Sequence, residues 1–295
     1  MNILALDIGG TYIKYGLFNN NLIESGETKS EGSRGGHYIV KNVDSIIEKY
    51  KDNYELQGVA ISSAGVVDIE SGTIIHAGNT IPNYKGFNWK KHIMEKYGLD
   101  CEIDNDVNCA ALGEYSFGAA KDKDAVLMLA VGTGIGGAFI KDGIIYRGSN
   151  YTAMEVGYMK MEGGCFQDIS STSALVSLYR EKTGNLEADG RYIFRCAKAG
   201  EREAIETIDR IMNNLCMGIA NITFILDPKV VLLGGGIMEQ REYLEPIIRK
   251  YLKEHMLPLT YEKVEIEFAK AGNLAASYGA LHHYKTRKGI NHGVL

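Results

Sequence analysis

The sequence predicts an α/β protein of two lobes with a cleft between them, and three observations carry that expectation. Short apolar strands alternate with helical patterns throughout the 295 residues. A unit of strand, glycine turn, strand, tight tip and strand occurs twice, about 125 residues apart. The 35 glycines cluster directly behind apolar runs, whereas there are only 4 prolines. A single doubly wound sheet is the alternative architecture.

The first unit begins with a strand at 2–8, a Gly9-Gly10-Thr11 turn and a second strand, Ile13–Phe18. Asn19-Asn20-Asn21 makes the tip, and Leu22–Thr28 the third strand. Ile39, Val43, Ile46, Ile47 and Tyr50 recur at helical spacing across 37–53. A strand at 57–62 ends in Ser62-Ser63-Ala64-Gly65, a helix covers 88–97, a strand 99–104, and a helix follows Asp104-Asn105-Asp106. The second unit has strands Ala125–Val131, Ile135–Ile140 and Ile144–Arg147. Helices are expected near 171–183, 190–199, 201–226 and 241–256, strands at 229–233 and 262–268, a last helix from Ala275, and a frayed tail at 286–295. The lobes divide into 1–117 and 118–295, with a helix at about 275–285 able to pack back on the first.

Composition excludes several classes. A net charge of -5 gives no basic footprint for nucleic acid. No apolar run approaches the ~18 residues of a membrane span, and the amino-terminal MNILALDIGG lacks the basic flank of a signal peptide. The cytoplasm is the expected location. The five cysteines, Cys101, Cys109, Cys165, Cys196 and Cys216, form no C-x-x-C pair, so neither a disulfide framework nor a cysteine-rich zinc site is expected.

Five stretches carry candidate chemistry. Asp7, Gly9, Gly10 and Thr11, with Lys14 behind them, place an acid and bare backbone N–H groups at a strand end, suited to phosphate oxygens and a hydrated Mg²⁺ near Asp7. Gly132-Thr133-Gly134 occupies the equivalent turn of the second unit, so two glycine hairpins are available to a polyphosphate. Gly234-Gly235-Gly236 joins a strand to a helical segment, a geometry that admits a flat nucleoside. Asp104-Asn105-Asp106 joins a strand to a helix; the residues alone leave open whether an acid caps the helix or one aspartate is a base taking a proton from a hydroxyl. Glu155, ahead of Val156-Gly157-Tyr158, is a candidate acceptor for sugar hydroxyls. The single tryptophan, Trp89, is expected near this pocket.

Taken together and in order, DIGGTYIK (7–14), ISSAG (61–65), DNDVNCAALGE (104–114), VGTGIGGA (131–138), EVGY (155–158) and LDPKVVLLGGG (226–236) resemble the ROK family of sugar kinases, within the actin-like ATPase superfamily. The resemblance covers residue 2 to about 285. It implies an α/β fold of two actin-like (ribonuclease H-like) lobes with a cleft, ATP and Mg²⁺ as cofactors, and commonly a homodimer. Asp106 becomes the base; Asn105 and Glu155 bind the sugar with Gly65 and Asn79; Gly9, Gly10, Thr11, Thr133 and Gly134 contact phosphates; Gly235 and Gly236 lie against adenosine.

Two departures stand out. Tyr158 replaces the family's zinc-binding histidine, and of the cysteine-rich loop only Cys165 remains, so no structural zinc is expected. Gln167 stands where a second sugar-binding glutamate is usual. Both changes resemble a zinc-less subgroup that includes N-acetylmannosamine and β-glucoside kinases. The expected activity is phosphorylation of a hexose or N-acetylhexosamine at its 6-hydroxyl, with N-acetylmannosamine first and glucose next. A β-glucoside kinase, a non-catalytic sugar sensor of the same fold and a protein-directed ATPase are the alternatives. The chain opens on its first strand, so a helix-turn-helix repressor is not expected.

Overall fold

A computed structural model describes residues 1–78 and 81–290. The chain divides into two compact units. The first comprises Met1–Asp122, Arg147–Thr152 and Lys270–Leu295; the second comprises Lys123–Tyr146 and Ala153–Ala269. The units are thus not the contiguous segments 1–117 and 118–295. The last helix packs on the first unit, where it was expected to be able to return, whereas Arg147–Thr152 was expected with the second and lies in the first, its Arg147 paired with a buried acid there.

The first unit holds strands β1 (Asn2–Ile8), β2 (Tyr12–Asn19) and β3 (Asn21–Lys29), helix α1 (Gly36–Lys51) and strand β4 (Leu56–Ser63). A small hairpin of β5 (Val66–Asp68) and β6 (Thr73–His76) follows, then α2 (Trp89–Tyr97), β7 (Asp100–Asn105) and α3 (Asp106–Phe117). The sheet order is β3-β2-β1-β4-β7, with β1, β4 and β7 parallel. Strand β1 is covered on both faces, and its two-residue alternation divides its side chains between two cores. Leu4, Leu6 and Ile8 join the core containing Ile39, Val43, Ile46, Ile47 and Tyr50 of α1. Ile3 and Ala5 face the other way, onto Cys109 and the final helix.

The second unit repeats the plan with β8 (Ala125–Val131), β9 (Ile135–Lys141) and β10 (Ile144–Ile145). After the short hairpin β11 (Lys160–Met161) and β12 (Gly164–Cys165) come α4 (Phe166–Ser170), α5 (Thr172–Thr183), α6 (Gly190–Lys198) and α7 (Arg202–Leu226). Then follow β13 (Val230–Gly234), α8 (Arg241–His255), α9 (Pro258–Lys263) and β14 (Glu265–Phe268). The order β10-β9-β8-β13-β14 reproduces the first sheet: an antiparallel hairpin edge and three parallel strands. The strand expected from residue 262 starts only at Glu265, because Pro258 supplies the preset φ of a first helical residue and opens α9. The strand expected over Ile144–Arg147 ends at Ile145.

The last helix, α10 (Ala275–Arg287), returns to the first unit and crosses α3 at backbone contact. A Cβ at Gly279 would stand 1.6 Å from the Cys109 carbonyl oxygen, and one at Gly113 would stand 2.0 Å from that of Ala275. Glu114, fully buried, fastens the crossing: Oε1 accepts the N–H groups of Lys270 and Ala271, each at 2.7 Å, and Oε2 that of Ala119 at 2.8 Å. Trp89 is also fully buried, donating from its indole nitrogen to Tyr84 at 2.8 Å; it is a core residue at the start of α2. Among the described residues no helix is long and apolar enough to cross a membrane.

Two stability predictions follow from the crossing. Gly279→Ala should lower the unfolding free energy by about 3 kcal/mol or more, because neither clashing backbone can step aside; Gly190→Ala, whose Cβ would meet its nearest neighbour at an ordinary 3.5 Å, should change it little. Glu114→Ala should cost about 3–5 kcal/mol by orphaning three buried donors, and Glu114→Gln distinctly less. Urea denaturation followed by circular dichroism measures all four.

Candidate active site

In the first unit, the candidate residues gather at the carboxyl ends of parallel strands, the edge where α/β sheets bind ligands. Register aligns Asp7 of β1 with Ser62 of β4, and Ser62 with Asp104 of β7; one residue on, Ile8, Ser63 and Asn105 are aligned. The Gly9–Thr11 turn closes with the Gly9 N–H donating to the Tyr12 carbonyl at 3.0 Å. It rests on Gly32, where a Cβ would stand 2.7 Å from the Gly10 oxygen. Ser62 donates to Asp7 Oδ1 at 2.8 Å, and Lys14 lies opposite Asp7 across the β1–β2 pair. Burial pushes the Asp7 carboxyl above its ordinary value, against the Ser62 hydrogen bond and the Lys14 charge. A cation beside it would reverse that push.

The strand–helix junction sets Asp104, Asn105 and Asp106 in three different surroundings. The cap of α3 is Asn105, not an aspartate: its Oδ1 accepts from the N–H groups of Val107 at 2.9 Å and Asn108 at 3.2 Å. That fixes the other end of the amide, which donates to the Gly65 carbonyl at 3.0 Å and to Asp106 Oδ1 at 2.9 Å. Gly65 is at φ 102°, and a Cβ there would stand 2.6 Å from the His76 oxygen, so only glycine fits. Asp104 is buried, with a side chain 2% exposed, and is paired with Arg147. Burial opposes its ionisation, yet the charges of His283 and Arg147 and hydrogen bonds from Arg147 and Asn108 hold its carboxyl below the ordinary range. Asp106, partly exposed at the first turn of α3, is the acid that remains reachable. Asn79 lies outside the described residues.

In the second unit, Thr133 and Gly236 border one cavity of about 860 Å³ together with Gly132. Gly235 is at φ 94°, where its missing side chain lets the β13 end touch β8: a Cβ would stand 2.3 Å from the Val131 oxygen. The Gly132–Gly134 turn is held by a 2.9 Å bond from the Gly132 N–H to the Gly134 oxygen, and the Thr172 N–H donates to the Gly132 oxygen at 2.9 Å. Sequence reasoning missed the opposite wall, built by Thr172, Ser173, Arg180 and Arg191. Thr172 Oγ1 is buried without a hydrogen-bond partner. Nothing in the local sequence of α5 marks it.

Glu155 is exposed and follows Met154, whose φ of 68° turns the chain sharply. Gln167, on α4, brings Gly134 and Gly157 together: a Cβ at either glycine would stand 2.8 Å from its Oε1. Glu155, Gln167 and the Gly134 turn therefore belong to one neighbourhood of the second unit. Where relatives would carry a cysteine-rich loop, β11 pairs with β12, and Lys160 donates to the Cys165 sulfur at 3.0 Å. Among the described residues no three His, Cys, Asp or Glu side chains gather as a metal would require.

Against known proteins, the model of the ROK family matches residues 3–287. A β-glucoside kinase of Listeria innocua is 32% identical over 96% of this chain and 97% of its own length. An N-acetyl-D-glucosamine kinase of Photobacterium profundum is 32% identical over 94% and 97%. Among solved structures, the Lmo2764 protein of Listeria monocytogenes, named as a candidate N-acetylmannosamine kinase, superposes with a TM-score of 0.88 at 30% identity, covering 98% of this chain and 100% of its own. The duplicated sheet order, the glycine turns at matching strand ends and these likenesses agree, and the chain, an α/β protein of two actin-like units, belongs to the ROK family.

Proposed function

We propose that this protein is an ATP-dependent sugar kinase that phosphorylates a hexose or N-acetylhexosamine at its 6-hydroxyl, with N-acetylmannosamine as first acceptor and glucose as second. The observation that carries the reading is the Asn105–Asp106 pair: a reachable carboxylate at the carboxyl edge of a parallel sheet, held at one oxygen by an amide that is itself fixed by the helix cap. Such a carboxylate is placed to take the proton of an acceptor hydroxyl as its oxygen attacks the γ-phosphorus. In the first unit, Gly65 and Asn105 would contact sugar hydroxyls and the Gly9-Gly10-Thr11 turn would contact phosphate oxygens; in the second unit, Glu155 and Gln167 would contact sugar hydroxyls, Thr133 and Gly134 would contact phosphates, and the cavity beside Gly236 has room for a nucleoside.

Mg²⁺ bound with the nucleotide would neutralise charge on the phosphates. Asp7 fits it, being a hard oxygen donor whose ionised form burial disfavours and a cation would favour. Phosphorylation of a β-glucoside is the second reading, favoured by the β-glucoside kinase relative and by the neutral Gln167, whose side-chain N–H can donate to a substituted anomeric oxygen, which has no proton to give to a carboxylate.

The test is ADP release from Mg-ATP against N-acetylmannosamine, glucose, N-acetylglucosamine, mannose, fructose and cellobiose. Turnover should be strong with one sugar and slight without sugar. Saturable sugar binding with no turnover would replace the kinase with a sensor. Asp106→Asn should fold normally and lower kcat about 10²–10⁴-fold; wild-type kcat in that variant would remove Asp106 from the base role.

A further inference from the structure

Asp104 has no route to a ligand, yet more polar contacts converge on it than on any other acid described above. Arg147 donates to Oδ2 through Nε at 3.1 Å and again through Nη2, a two-pronged pairing. The Asn105 N–H at 2.8 Å and the Asn108 side-chain amide at 3.0 Å donate to Oδ1. The side chains of Arg147 and Asp104 are only 16% and 2% exposed. His283, itself 4% exposed, approaches Oδ2 no closer than 3.9 Å, and burial pushes its imidazole down. The guanidinium, which does not lose its proton, is therefore the fixed countercharge.

The contacts run in series. Arg147 makes a buried carboxylate tolerable; the carboxylate grips the backbone of Asn105 and the side chain of Asn108; Asn105 caps α3 and holds Asp106. Arg147 reaches this hub from a different part of the chain, the six-residue stretch Arg147–Thr152 that belongs to the first unit. A merely structural pair would need none of the links to Asn105.

We propose that Arg147 and Asp104 are positioning residues for Asp106, the ion pair fixing the strand–helix junction so that the acid meets the acceptor hydroxyl in one orientation. The proposal rests on reading Asp106 as the base. Loss of Arg147 leaves a buried carboxylate with His283 at 3.9 Å, too far to replace the lost hydrogen bonds, so the carboxylate must protonate, draw His283 in or pull the junction out of line. A positioning loss falls on kcat, because binding of sugar and ATP draws on other residues.

The experiment compares Arg147→Met, Arg147→Lys and the double variant Asp104→Asn/Arg147→Met with the intact protein, measuring kcat and KM for both substrates per mole of folded protein. Arg147→Met should lower kcat at least about tenfold with KM within about twofold. The double variant should recover most of that loss, since the asparagine oxygen still accepts from Asn105 and Asn108 and no lone charge remains. Wild-type kcat in Arg147→Met, a parallel change in KM, or no recovery in the double variant overturns the proposal. If Arg147→Met does not fold, Arg147→Lys decides: it keeps the charge without the fork, so reduced kcat at unchanged KM supports positioning and wild-type kcat refutes it. Asp106→Asn is run alongside. Full activity there defeats the base reading itself, whatever the Arg147 variants do.

Discussion

The junction of β7 and α3 stands where it does because another helix touches α3 along its backbone. Gly113 and Gly279 remove the side chains that would keep α3 and α10 apart, and Glu114 converts the approach into three hydrogen bonds to main-chain N–H groups. A helix so tightly held has little freedom to slide or rotate, and its first turn carries Asn105 and Asp106. The acid proposed as base thus owes its position to groups well away from it: a glycine crossing and a buried glutamate two turns along the helix.

The two units solve the same problem twice. Each places an antiparallel hairpin beside three parallel strands, so that a glycine turn and two further strand ends share one edge. In the first unit that edge gathers acids and amides: Asp7, Ser62, Asn105 and Asp106. In the second it gathers bare backbone and hydroxyls around a cavity, with Gly132, Thr133, Gly236 and Thr172. Duplicated backbones have been given different chemistry, one edge lined by carboxylates, an amide and a hydroxyl and the other by bare backbone and hydroxyls.

Most elements were legible from apolar periodicity, because strands buried on both faces and helices with a single buried stripe leave unmistakable patterns. The α1 stripe was read residue for residue. Turn glycines were legible too, since apolar runs point to them. What escaped were features set by distant contacts. Arg147 looked like the end of a strand, and only Asp104, 43 positions earlier, explains its place. Glu114 offered a faint signal as an acid beyond the first turn of a mostly apolar helix, but its partners Lys270 and Ala271 lie more than 150 residues away. Met154 has a positive φ that no local rule assigns to methionine. The cavity wall of α5 carries ordinary helix-surface residues, and only packing turns them inward.

The return of α10 to the first unit has a consequence for synthesis. Ile3, Ala5, Phe18 and Ala60 leave the ribosome well before Ala276, Ala280, Leu281 and Tyr284, yet they bury against them. That face of the first sheet stays uncovered until α10 has been made, while the second unit, uninterrupted from Ala153 to Ala269, has its parts to hand earlier. The unit begun first is completed last. During that interval a sticky apolar sheet is exposed on the nascent chain, the condition under which chaperone capture matters most.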